Sequence, residues 1–370
     1  MIEWAIFCAW PSFVRGGNDL LRTALVGLPQ SGKTTLYNLL TRSDLPTGAM
    51  SRPESHVGAA DVPDVRLGVL AEMFHPKKVT PAKVEYVDIP GVRSGGAAQE
   101  ARRFLADIRE VDALVHVLQG FTDIDPPDPI AAAEALDLEL AVADLDVVER
   151  RLERIVREKK RASPDVERAA LERIAEDLGQ GRRAGATRLS DDEEQALRGF
   201  TLLTQKPLIL VLNGDEQTIR PDDPLHQGIA GYAEERGVPL VTMSLQLERE
   251  IQELDPAEQA AFLADLGLGE SGVARLSQGV YAGLGRISFL TAGSDEVRAW
   301  TVRRGIPARA AAGVIHSDIE RGFIRAEVCA YDDLVAAGSL ARARELGHLR
   351  LEGKEYVVQD GDVVNFRFAV

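Results

Sequence analysis

Cysteine is nearly absent: 370 residues contain only Cys8 and Cys329. They lie far apart in the chain, which excludes a disulfide framework and a metal-type cysteine spacing. A chain of this length can bury real cores without either. Positive charge is also short, with 43 Lys+Arg against 58 Asp+Glu and a net charge of -15. That excludes a generally basic nucleic-acid coat and predicts no DNA partner, while a local basic patch could still bind RNA. No run of about 18 apolar residues occurs, so no membrane span is expected. Met1–Trp10 is apolar but carries Glu3, with neither a basic leader nor a small-residue cleavage site, and a secretory signal is not expected. There is no internal repeat and no low-complexity segment. At 45% hydrophobic and 27% charged residues, the composition is that of a globular protein of two or three domains, and the expected location is cytoplasmic. Residues 1–20 read as a flexible extension ahead of the first strand.

What is present begins with Leu25-Val-Gly-Leu-Pro-Gln-Ser-Gly-Lys-Thr-Thr35. It contains Gly27-x-x-x-x-Gly32-Lys33-Thr34, the phosphate-loop pattern. Thr23–Val26 is an apolar run suited to a buried parallel strand, and Thr35-Leu-Tyr-Asn-Leu-Leu40 has helical character. In such a loop the glycines let backbone amides turn toward phosphate oxygens, and the following helix N-terminus adds partial positive charge. Gly27, Pro29, Gln30, Ser31, Gly32, Lys33, Thr34 and Thr35 are therefore the candidate phosphate-binding residues. Lys33 would neutralise the β/γ-phosphates and the Thr34 hydroxyl would hold Mg2+.

A second predicted strand, Lys83-Val-Glu-Tyr-Val-Asp88, runs into Asp88-Ile-Pro-Gly91. An acidic residue at the carboxyl end of a buried strand suits a metal contact, which makes Asp88 the second candidate Mg2+ residue. Gly91, three residues on, could bring its amide to a γ-phosphate and is the candidate sensor of that group. Two more apolar runs, Pro207–Asn213 and Val238–Ser244, end in polar residues at the edge where open α/β sheets bind ligands. Asn213-Gly214-Asp215-Glu216 stands where nucleotide-binding domains of this kind carry Asn-Lys-x-Asp. Asn213, Asp215, Glu216 and Ser244 are the candidate base-recognition residues. With Gly214 for the lysine and Glu216 for the aspartate, a guanine-reading surface loses its paired polar groups.

Between these halves Leu138, Ala141, Leu145, Val148, Leu152 and Ile155 follow spacings of three and four. Ser163-Pro164 signals a helix start, and Val166, Ala170, Ile174 and Leu178 form a second apolar stripe. Ser190-x-x-Glu193 is a capping box. Residues 136–199 are thus expected to form an antiparallel helical hairpin. From Arg150 to Arg161, seven basic residues face only Glu153 and Glu158, a local +5 on an acidic chain. One reading is a solvated helix face. The other is an RNA-contacting finger carried by Arg154, Arg157 and Lys160, whose affinity would fall with salt. From about residue 288 short strands take over (Ile287–Thr291, Ala299–Val302, Phe323–Val328, Val363–Phe368), with Asp360-Gly361 as a turn signal. The implied fold class is α/β: a doubly wound, mostly parallel P-loop sheet (residues 21–135 and 200–287), the inserted hairpin, and a small C-terminal α+β domain (288–370).

The chain resembles the YchF/Obg-like ATPase family over roughly residues 22–370. His56-Val-Gly-Ala-Ala-Asp-Val-Pro-Asp-Val-Arg-Leu67 and Pro76–Gly91 are similar to that family's segments before and through its Asp-x-x-Gly. Asn213 and Glu216 match its Asn-x-x-Glu. The stretches His316–Val328 and Asp360–Phe368 resemble its C-terminal TGS (β-grasp) domain. The resemblance implies ATP in preference to GTP, Mg2+, slow hydrolysis, association with the ribosome or its large subunit, and a hydrophobic residue, here Val92, in place of the usual water-positioning glutamine. A monomer cycling between ATP and ADP states is expected. The sequence also departs from the family. Arg52 aligns with a threonine that would sense the γ-phosphate and Mg2+. The loop Val92–Glu100 is shorter and holds no histidine, leaving Arg93 or Gln99 to reach a phosphate. Alternatives therefore stay open: a slow ATPase switch, a nucleotide-dependent ribosome- or RNA-binding module with little hydrolysis, or a GTPase using Asp215.

Overall fold

The structure is a computed structural model, and it describes residues 21–47, 55–91, 98–121, 127–157, 165–197 and 199–369. The expectations for residues 1–20, for Arg52, Val92 and Arg93, and for Lys160 at the arm's basic run lie outside the described residues. The described chain divides into two compact units. One comprises Leu21–Gly58 and Glu85–Leu276, the other Ala59–Val84 and Ser277–Val370. Twelve strands are described: β1 (Arg22–Val26), β2 (His56–Asp61), β3 (Lys78–Thr80), β4 (Lys83–Asp88), β5 (Ala113–Gln119), β6 (Leu208–Asn213), β7 (Leu240–Met243), β8 (Arg286–Ala292), β9 (Glu296–Arg303), β10 (Phe323–Ala330), β11 (Arg350–Glu352) and β12 (Asp362–Phe368).

The first unit is organised by a sheet in the order β2-β4-β1-β5-β6-β7. From β4 to β7 all neighbours are parallel, so their carboxyl ends share one edge. There Val26, Asp88, Gln119 and Asn213 finish their strands. Parallel strands covered on both faces read as continuous apolar runs. β6, Leu-Ile-Leu-Val-Leu-Asn, is buried at every position. The core beneath joins Leu114, Leu118, Leu210 and Leu212 of the strands to Phe104, Ile108, Leu136, Leu140 and Ile229 of the helices. β5 has no counterpart among the strands expected from sequence, although it pairs with both β1 and β6.

The inserted arm starts earlier than expected. One helix runs unbroken over Pro129–Arg157. Its first half packs Ala133, Leu136 and Leu140 into the sheet's core. Its second half turns Val148 and, less deeply, Leu145, Leu152 and Ile155 toward the helix Asp165–Gly179. Because the buried stripe is set by the sheet first, Leu138 falls off it and is 65% exposed, contrary to the expected seam. Val166 is exposed as well, and the inner position goes to Glu167, which accepts two hydrogen bonds from Arg151 at 2.6 and 2.8 Å. The capping box forms as read. Ser190 N donates to Glu193 at 2.8 Å, and Glu193 N donates back to the serine hydroxyl at 3.4 Å.

The second unit carries a sheet in the order β11-β10-β12-β8-β9-β3. β8 and β9 form an antiparallel hairpin, β12 lies parallel beside β8, and β10 runs antiparallel to β12. In its core Phe289 stacks on Trp300 and meets Phe366 edge-on, beside Ala308, Ala311 and Ala312 of the helix Ala308–Ile315. Residues 59–84, expected with the nucleotide-binding domain, belong to this unit: β3 pairs with β9 over Lys78–Thr80. Within the unit Arg66 bonds Asp64 twice at 2.8 Å and Asp360 at 2.9 Å, and Asp360 also accepts from Ser288 N. His316 caps a short helix by accepting from Asp318 N, and Cys329 is buried, with its thiol pKa raised by desolvation.

Candidate nucleotide-binding site

The loop between β1 and the helix Lys33–Thr41 lies at the carboxyl edge of the parallel sheet. Its shape depends on backbone freedom at Gly27 and Gly32. Gly32 has φ +103, and a Cβ there would meet the Asn213 side chain at 2.6 Å. A side chain would therefore be strained and would also collide. Gln30 too adopts a left-handed φ of 68. Lys33 opens the helix, is buried, and folds back so that Nζ donates to the Leu28 carbonyl at 2.8 Å. Burial pulls its pKa down to about 8, with Asp88 opposing part of the shift. A lysine held in that state is poised to gain a counter-charge.

Thr34 follows on the same helix, and its hydroxyl donates to Asp88 Oδ2 at 2.7 Å. Asp88 ends β4, beside Leu25 of β1. It is buried, and desolvation raises its pKa against the Thr34 hydrogen bond and the charges of Lys33 and His56. Its other oxygen, Oδ1, is buried without a hydrogen-bond partner among the described residues. A paired hydroxyl and carboxylate with an unsatisfied buried oxygen is a hard-oxygen donor set that fits Mg2+. Among the described residues no three His, Cys, Asp or Glu side chains cluster into an all-protein metal cage. Mg2+ in phosphate sites characteristically takes one or two carboxylates and completes its shell from phosphates and water. Gly91 sits against the loop: a Cβ there would lie 2.7 Å from Pro29 N and 2.8 Å from Lys33 Nζ. The sequence-predicted Lys33, Thr34, Asp88 and Gly91 thus converge.

Three of the four candidate base residues make hydrogen bonds within the protein in this arrangement. Asn213 Nδ2 donates to Ser31 O at 3.0 Å and its Oδ1 accepts from Leu245 N at 3.2 Å, fastening the phosphate loop to the end of β7. Asp215 Oδ1 accepts from Gln217 N, Thr218 N and the Thr218 hydroxyl at 2.8–3.0 Å. Ser244 caps the helix Leu245–Glu253 through Leu247 N. Asp215 and Glu216 are both exposed, and Glu216 has no hydrogen bond of this kind among those described. On the arm, Arg154 and Arg157 are exposed, and Arg157 pairs with Glu153 at 3.0 Å. Sequence reasoning did not single out His56, whose charge acts on Asp88. The available signal was its place at the head of a segment leading into a strand.

Fold and site together define a P-loop nucleotide-binding protein of the α/β class, with an inserted helical arm and a C-terminal domain. Residues 22–161 match the family described as 50S ribosome-binding GTPase, and residues 286–369 match the YchF-GTPase C-terminal family, described as a protein of unknown function. The ribosome-binding ATPase YchF of Bacillus subtilis is 39% identical over 95% of this chain and 100% of its own. The Obg-like ATPase 1 of Oryza sativa subsp. japonica is 34% identical over 95% of this chain and 92% of its own. The structure of the Schizosaccharomyces pombe YchF GTPase superposes with a TM-score of 0.83, at 29% identity, covering 95% of this chain and 99% of that one. The chain belongs to the YchF family.

Proposed function

We propose that the protein is an ATP-binding P-loop switch that hydrolyses ATP slowly and associates with ribosomes. The carrying observation is the convergence of Lys33, the Thr34–Asp88 pair with its unpartnered Oδ1, and Gly91 on one loop. The curated relatives' names supply the ribosome and the ATPase activity. In this reading the loop from Gly27 to Thr35, with Pro29, Gln30, Ser31 and Gly32, wraps the phosphates, and Lys33 leaves the Leu28 carbonyl to contact them. Thr34 and Asp88 would hold Mg2+, which neutralises charge building on the phosphates. The amide of Gly91 would reach the γ-phosphate, since nothing but hydrogen fits between it and the loop. Hydrolysis here needs in-line placement of a water rather than covalent help. Base choice favours adenine: Asp215 Oδ1 is held in its own turn, and Glu216 stands where a guanine reader carries aspartate. The protein would act as a monomer in the cytoplasm. Among the described residues no helix is long and apolar enough to cross a membrane.

The test is phosphate release with Mg-ATP and Mg-GTP, with and without ribosomes, using Lys33→Ala as control. Release from ATP that disappears in the variant supports the ATPase. ATP binding without release above the variant supports the second reading, a nucleotide-dependent ribosome-binding module. Unchanged ATP affinity in Lys33→Ala sinks both.

A further inference from the structure

We propose that the outer face of the second unit's sheet, around Arg325 and Arg367, docks an acidic, extended segment of a partner protein. The sheet's inner face is already filled: Ala326 and Val328 of β10 and Val364 and Phe366 of β12 belong to the aromatic core. Alternation puts Arg325 and Glu327 of β10, and Asn365 and Arg367 of β12, on the opposite face. There Glu327 stands opposite Asn365 on one side and opposite Leu351 of β11 on the other. Arg325, Leu351, Asn365 and Arg367 are exposed.

The charges on this face work against the fold's own stability. Arg325 is paired directly with Arg367 across the two strands, and like charges directly opposite each other are destabilising. Glu327, buried between them and β11, is the acid that answers them. It accepts from Arg367 and from Asn365, each at 3.0 Å, and Arg344 of the helix Leu340–Glu345 approaches it at 3.8 Å. Arg325 has no ion pair among the described residues. Three guanidinium groups against one carboxylate leave a surplus of two positive charges, on a chain whose net charge is -15. β11 ends one residue before the place opposite Arg325. Gly353 follows there, and a Cβ on it would meet nothing within 4 Å, so the space beside Arg325 is open.

The occupant follows from this chemistry. Guanidinium forks match carboxylates, and the face already holds one in this way at Glu327. Leu351, 61% exposed, offers an aliphatic contact beside the arginines. β11 is the edge of the sheet. An extended segment laid along it gains main-chain hydrogen bonds while its alternate side chains turn to the arginine face. RNA is the other polyanion to consider. Single strands read on a sheet are held by exposed aromatic rings, and the residues of this face include none. Glu327 in its middle would also repel a phosphate.

The experiment follows the fluorescence anisotropy of a labelled peptide of repeated Asp-Leu-Glu titrated with the full chain. Single-stranded oligo(A) RNA is the rival probe, and thermal unfolding of every variant is measured alongside. Arg325→Glu should weaken peptide binding roughly tenfold or more. It should also hold or raise the melting temperature, because it turns a like-charge pair into an opposite one. Leu351→Ser should weaken binding severalfold. Arg304→Glu, the same charge change at an exposed turn of the same unit, should leave it as in wild type. No saturable binding by wild type, or unchanged binding in Arg325→Glu, overturns the proposal. An equal loss in Arg304→Glu overturns it as well, since that marks net charge alone. So does a lower melting temperature in Arg325→Glu, which marks a structural arginine. RNA bound more tightly than the peptide, with the same sensitivity to Arg325→Glu, overturns it in favour of a nucleic-acid face.

Discussion

His116 offers a quantitative test of how the nucleotide sheet is buried. It sits in β5 between Val26 of β1 and Leu210 of β6, is 2% exposed, and its Nδ1 has no hydrogen-bond partner among the described residues. Burial, with the like charges of Lys33 and Arg183, pushes its pKa down to about 3 from the ordinary 6.5. The folded protein therefore keeps the imidazole neutral while the unfolded chain takes up a proton below pH 6.5. With more protons on the unfolded state, stability falls as the pH drops from 6.5 toward 3. From pH 7 to pH 5 the linkage amounts to about 2 kcal/mol. Asp144 and Glu248 have pKa values raised by burial, which shifts stability in the opposite sense. They are common to wild type and to His116→Leu, so the difference isolates the histidine. Hydrogen exchange of the Ala113–Gln119 strand at the two pH values, corrected for intrinsic rates, reads the opening free energy. Wild type should lose about 2 kcal/mol more than the variant. Equal changes in both proteins would refute the argument, because a histidine that titrates normally in the fold contributes no such linkage.

Three further outcomes follow from the same geometry. Asp144 accepts from Leu203 N, Thr204 N and the Thr204 hydroxyl at 2.7–2.8 Å, all buried; Asp144→Ala strands three donors and should cost about 3 kcal/mol or more in urea unfolding, whereas a loss under 1 kcal/mol would show that water satisfies them. Gly91→Ala places a methyl against Pro29 N and Lys33 Nζ and should weaken fluorescent-ATP binding roughly tenfold or more; retained affinity would mean the loop gives way freely. Reversing Arg154, Arg157 and Lys160 to glutamate should weaken ribosome co-sedimentation and flatten its salt dependence, while equal binding at every salt concentration would assign that face to solvation alone.

How much was legible in the sequence depended on whether a signal was local. The phosphate loop, β4 with its terminal Asp88, β6 and the capping box at Ser190 each carry their pattern within a few residues, and the structure has them at those positions. β5 was missed because His116 interrupts an otherwise apolar run, and the strand's place is set by pairing with β1 and β6, both distant in sequence. β2 was missed because His-Val-Gly-Ala-Ala-Asp is poor in the β-branched and aromatic residues that mark strands; its role comes from pairing with β4 rather than from propensity. The arm's seam was shifted because Pro129–Arg157 answers to two cores in succession. A single heptad phase cannot describe a helix whose first half faces a sheet and whose second half faces another helix.

The base-side residues show the same limit at the level of the site. Asn213, Asp215 and Ser244 stand where a nucleotide reader would have them, yet each makes hydrogen bonds that organise the loops around the phosphate cradle. Asn213 is the most telling. Its amide joins the Ser31 carbonyl to the Leu245 amide, while Gly32 leaves room for it at 2.6 Å from where a Cβ would stand. A carbonyl inside the phosphate loop is thereby satisfied from β6. Polar residues at strand ends therefore divide between those that touch a ligand and those that shape the backbone to do so. Spacing alone does not separate the two; the hydrogen-bond partners do. By that criterion Asn213 and Ser244 shape the backbone, and the proposed ligand contacts rest with Glu216 for the base and with Lys33, Thr34 and Asp88 for the phosphates and the cation.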